Sequence, residues 1–122
     1  MSLLQISYED IFNVFLESIT DYNLASLEEE DAFLLLKGWM KKGLSKSYIK
    51  RIFKTSTFDD ENQIFEFQLK HPSKDETDSE QSEFVINVVS KAMIIEWCEP
   101  QVKKTTNMSQ MFGGKEQKLS IA

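Results

Sequence analysis

A chain of 122 residues with 14 Lys and Arg against 20 Asp and Glu carries a formal charge of −6, and that length argues for one domain with one core. Apolar residues make up 41%, with nine Phe, two Trp and three Tyr among them, so the composition is that of a folding chain, not a disordered one. A single Cys excludes an internal disulfide framework. No stretch reaches the roughly 20 apolar residues of a membrane span, and the lack of a charged-then-apolar leader points to a reducing intracellular setting.

In chain order, Ser7 with Asp10 makes a capping box, and Ile6 and Ile11 stand at the ends of a hydrophobic staple. Ile11, Phe15, Ile19 and Tyr22 then share a face that Phe12 and Leu16 widen, which predicts a helix over about 8–22. Ser26 with Glu29 opens a second helix, and Glu28, Glu29, Glu30 and Asp31 suit its positive end. Its buried face is expected to be Ala32, Phe33, Leu35, Leu36, Trp39 and Met40, with Gly43 as a stop or kink. Leu44, Tyr48, Ile49, Ile52 and Phe53 resume a helical period over a shorter span. The short link Asn23 to Ser26 implies an antiparallel helical hairpin.

From Thr55 the pattern changes. Asp59 to Asn62 reads as a turn, and Phe65, Phe67 and Leu69 alternate with Glu66 and Gln68, which predicts a short extended segment near 64–69. With no strand to pair with, Ile64, Phe65, Phe67 and Leu69 form a candidate intersubunit segment. Residues 71–80 read as a polar loop. Phe84, Val85, Val88, Val89, Ala92, Met93, Ile95 and Trp97 predict a central apolar helix over about 80–99, ended by Pro100. The expected fold class is therefore mainly α: a small bundle of three to five helices with one short extended segment. Residues 1–112 would form a single helical domain and 113–122 a flexible C-terminal tail.

Nothing in the sequence assembles into an active site. His71 precedes Pro72 in a polar loop and Cys98 sits on the apolar helix, which reads as a surface imidazole and an inert thiol. Two soft ligands do not make a zinc site, and the acidic runs 59–61 and 75–80 lack the glycine and terminal Glu of a calcium loop. Gly113, Gly114 and Lys115 lack the remaining positions of a phosphate loop. The chain is expected to be no enzyme, with no metal and no cofactor.

Charge order is more informative than net charge. From Lys37 to Lys54 there are seven basic residues and no acidic one: Lys37, Lys41, Lys42, Lys46, Lys50, Arg51 and Lys54. This stripe is either the solvated face of two helices, a docking surface for an acidic partner, or a DNA-facing surface. In the last case helix, Gly43 and helix would form a helix-turn-helix, with 44–54 as recognition helix.

The segment Glu96-Trp97-Cys98-Glu99-Pro100-Gln101-Val102-Lys103, followed by Ser109-Gln110-Met111-Phe112-Gly113-Gly114-Lys115-Glu116-Gln117-Lys118, resembles small virion proteins of tailed bacteriophages of Gram-positive hosts. Ser7-Tyr8-Glu9-Asp10-Ile11-Phe12 and the Asp21-Tyr22 pair before Leu24 fit the same pattern. The resemblance implies a head-tail connector of the adaptor type: an all-helical, non-catalytic protein of the virion neck, assembled in the host cytoplasm. It implies the portal protein and other neck proteins as partners, self-association into a ring on assembly, contact with channel DNA, and no membrane. The competing reading is a small helical DNA-binding regulator, with 44–54 as recognition helix and the apolar helix as dimer interface.

Overall fold

The computed structural model describes the backbone of residues 3–111 and the side chains of residues 3–101. The element order is β1 (Leu4–Ser7), α1 (Tyr8–Glu17), α2 (Tyr22–Ala25), α3 (Glu29–Leu44), α4 (Ser47–Lys50), β2 (Phe53–Asp59), β3 (Ile64–Leu69) and α5 (Asp78–Met111). This corrects the mainly α expectation: the fold is mixed, with a three-stranded antiparallel sheet in the order β1-β3-β2. The predicted tail, 113–122, lies outside the described residues.

Strand β3 forms where the alternation of Phe65, Phe67 and Leu69 predicts it, but it is the central strand. Leu4 to Ser7 pair with Phe67 to Ile64 on one side, and Phe53 to Asp59 pair with Leu69 to Ile64 on the other, with an irregularity between Phe53 and Thr55. Both edges of β3 are therefore filled, and Phe65 and Phe67 are fully buried. Ile64, Phe65, Phe67 and Leu69 are a structural spine, not an intersubunit segment. Partnered residues in an antiparallel ladder share a face, so Ile6, Phe65 and Phe58 point one way with Phe67, Leu69 and Phe53. That face joins the helices in one core; the other carries Gln5, Glu66, Gln68, Thr55 and Thr57, all exposed or half-buried. The result is two layers, with helices gathered on one side of an antiparallel sheet.

Several element boundaries move for local reasons. Ser7 caps α1 by accepting from the amide of Asp10 at 3.1 Å, as predicted, but α1 stops at Glu17 and not at Tyr22. Asp21 captures the amide of Leu24 at 3.0 Å and starts a separate turn, so Tyr22 leaves the predicted buried face and is 83% exposed. Ser26 does not cap α3: its hydroxyl donates back to the carbonyl of Asn23, and Glu28 takes the cap position without a side-chain bond. Gly43 is helical and does not end α3, which runs to Leu44.

The predicted helix after Gly43 shrinks to the single turn of α4, and Phe53 begins β2. Residues 44–54 thus span a helix end, one turn and a strand, so no recognition helix exists there. In Phe53-Lys54-Thr55-Ser56-Thr57-Phe58 the aromatic and β-branched residues favour a pleated surface, and pairing with β3 outweighs the weak helical period. Helix α5 begins at Asp78, because Thr77 and Glu80 form a reciprocal capping box: the Glu80 amide donates to Thr77 Oγ1 at 3.1 Å and the Thr77 amide to Glu80 Oε1 at 3.1 Å. It passes through Pro100 to Met111, correcting the predicted 80–99 span. Proline removes the N–H that would reach the Glu96 carbonyl and crowds that carbonyl with its ring, and Gln101 Nε2 donates to the neighbouring Trp97 carbonyl at 3.2 Å.

Candidate functional site: a basic corner

The seven-residue basic stripe divides in two. Lys37 and Lys41 fold inward against the β2–β3 turn, where Lys41 Nζ lies 2.6 Å and Lys37 Nζ 4.0 Å from Asp60 Oδ2. Each ammonium also lies over a ring, Lys37 at 5.6 Å from the Phe33 centroid and Lys41 at 5.2 Å from that of Phe58. Asp60 accepts a further bond of 2.6 Å from the buried Tyr8 hydroxyl. One carboxylate thus joins the start of α1, the length of α3 and the hairpin. The Lys41 bond, with help from Tyr8, holds the Asp60 carboxyl below its ordinary value, while burial and the Asp60 charge push the Tyr8 phenol up.

Lys46 is also occupied. Its ammonium lies 3.6 Å from Oε2 of Glu96, whose side chain is 1% exposed. Neither carboxyl oxygen of Glu96 accepts a hydrogen bond from a described residue, so Lys46 is the charge that faces this buried group among them.

What remains is Lys42, Lys50, Arg51 and Lys54. All four are exposed, and their side chains make no ion pair or hydrogen bond among the described residues. They come from the last turn of α3, from α4 and its C-cap, and from the start of β2, with Tyr48 of α4 47% exposed among them in sequence. This corner of the chain holds cations that the fold does not neutralise. All seven share one run of sequence, but Asp60 and Glu96, which withdraw three of them, meet that run only in the folded chain.

The remaining chemistry-bearing residues do not converge. His71 is exposed, Cys98 is half-buried on α5, and no group of three or more His, Cys, Asp or Glu is placed to hold a metal among the described residues. A shallow polar depression of about 330 Å³ on the open sheet face is lined by Gln5, Thr57, Asp59, Asp60 and Glu66. Its carboxylates are engaged by Gln5 on Glu66, Asn62 on Asp59, and Lys41 and Tyr8 on Asp60. No described helix is long and apolar enough to cross a membrane. No protein-family model, no curated protein and no solved structure matches the chain.

Proposed function

We propose that the chain is a non-catalytic docking protein of the phage neck, a head-tail connector of the adaptor kind, and that its basic corner meets an acidic surface of a neighbouring virion protein. The observation that carries this reading is the division of the stripe: Lys42, Lys50, Arg51 and Lys54 remain exposed and unpaired while Lys37, Lys41 and Lys46 serve the fold. An unneutralised cluster of one sign steers association with a surface of the opposite sign. The portal protein and other neck proteins are the proposed partners, with self-association into a ring on assembly, on the strength of the sequence resemblance. The proposed setting is the virion neck, assembled in the host cytoplasm.

A duplex-binding regulator is not favoured, since 44–54 form no helix to enter a major groove. Gel shifts at low and high salt, combined with light scattering, test the proposal. The expected result is a monomer or small oligomer with weak, salt-sensitive DNA binding at most. A stable dimer with sequence-selective nanomolar binding would overturn it.

A further inference from the structure

A second surface lies at the other end of α3. A groove of about 420 Å³ opens between the end of α1, α2 and the first half of α3, with an aliphatic lining that includes Leu16, Ile19, Leu24, Ala32 and Leu36. Leu24 and Leu36 are buried, whereas Leu16 is 42% exposed and the lining Tyr22 is 83% exposed. Asp21 forms part of the wall, but its carboxylate is held by Trp97 Nε1 at 2.7 Å and by the Leu24 amide.

Every lining residue comes from the first 36 positions, which contain eight acidic residues and no Lys or Arg. Glu17 follows Leu16, and Glu28, Glu29, Glu30 and Asp31 lead directly to Ala32. An apolar groove in an anionic surround repels nucleic acid and anionic lipid alike, and favours apolar side chains flanked by cations. We propose that the groove binds an amphipathic segment of a partner protein, with aliphatic side chains in the groove and Lys or Arg on the flanks. This surface is independent of the basic corner, and either reading can fail alone.

The test uses a short helix-forming Leu/Lys peptide, its Leu/Glu counterpart, and a scramble of the Leu/Lys composition without helical periodicity. Binding is followed by amide shifts and by the Trp97 indole N–H, which reports from behind the groove through Asp21. The Leu/Lys peptide is expected to shift residues 16–36 and the Trp97 indole, and to weaken in high salt. Leu16→Lys and Tyr22→Ala, both at exposed side chains, should each weaken binding about tenfold or more. Leu34→Lys, on α3 but outside the groove, should leave it unchanged. Equal binding of the Leu/Glu peptide or the scramble, shifts mapping elsewhere, or full binding by Leu16→Lys would overturn the proposal. So would a dimer of the free protein that Leu16→Lys dissociates, since the groove would then belong to a second copy.

Discussion

A Cβ at Gly43 would lie 3.0 Å from the Cβ of Ala92 and 3.2 Å from its carbonyl carbon, so glycine is what lets α3 and α5 approach at this level. At Gly38, five residues earlier on the same helix, a Cβ would meet nothing within 4 Å. The same substitution should therefore act in opposite directions. Gly38→Ala is expected to stabilise by up to about 1 kcal/mol through helix propensity, and Gly43→Ala to destabilise by about 1–2 kcal/mol, the overpacking exceeding that gain. Urea unfolding of the two variants checks both signs. Glu96 and Lys46 make a second opposed pair. Lys46→Ala leaves a buried carboxyl group without its facing charge and should cost about 2 kcal/mol, whereas Glu96→Leu frees Lys46 to extend into solvent and should be neutral or stabilising. Equal losses from the two substitutions would show that the pair itself contributes net stability.

At the scale of elements, caps decide boundaries that periodicity leaves open. Thr77 and Glu80 fix the start of α5, so Thr77→Ala should lower stability by about 1 kcal/mol and increase amide exchange in the first turn only. The sequence displayed β3 plainly, because one face of it is buried and the period of two survives intact. It hid both partners of β3. Strand β1 has four residues, too few to show a period, and Ile6 also fits a staple before α1. Strand β2 is an edge strand whose Lys54, Thr55, Ser56 and Thr57 are exposed, so only Phe53 and Phe58 mark it, and Phe53 also fits a helical spacing from Ile49. With neither neighbour marked in the sequence, β3 reads there as a strand without a partner. The helical faces were legible where tertiary packing agreed with them, as at Ile11, Phe15, Leu36 and Met40, and misleading at Tyr22, where Asp21 restarts the chain. The basic stripe was legible as composition; which of its members are spent on the fold was not, because Asp60 and Glu96 meet it only in three dimensions.

Across the whole molecule, charge follows α3. Its first turn holds Glu29, Glu30 and Asp31 and its last turn Lys41 and Lys42, each matched to the helix dipole. Several carboxylates also set the pH response. Asp60 is held low chiefly by its bond from Lys41, Asp21 by the Trp97 indole, Asp59 by the Asn62 side chain, and Glu80 by the Thr77 amide. Each folded-state value lies below that of the unfolded chain, so this stabilisation is complete above about pH 5 and is lost as pH falls through about 4 and below. Tyr8 works in the opposite sense: its phenol is raised by burial and by Asp60, so its contribution is complete below about pH 9 and is lost as pH rises past about 10. Melting temperature against pH should therefore show a plateau with a fall on each side. Asp60→Asn should flatten part of the acid limb, and Tyr8→Phe part of the alkaline limb.

Reversing Lys42, Lys50, Arg51 and Lys54 to Glu together tests the basic corner as a docking surface, since none of the four is held in an ion pair among the described residues. The variant is compared with wild type in co-sedimentation with the proposed partner, the portal protein of a tailed bacteriophage of a Gram-positive host. Wild type is expected to co-sediment in a salt-sensitive way, whereas the variant should keep its melting temperature within a few degrees but no longer co-sediment. A variant that co-sediments as well as wild type would contradict it.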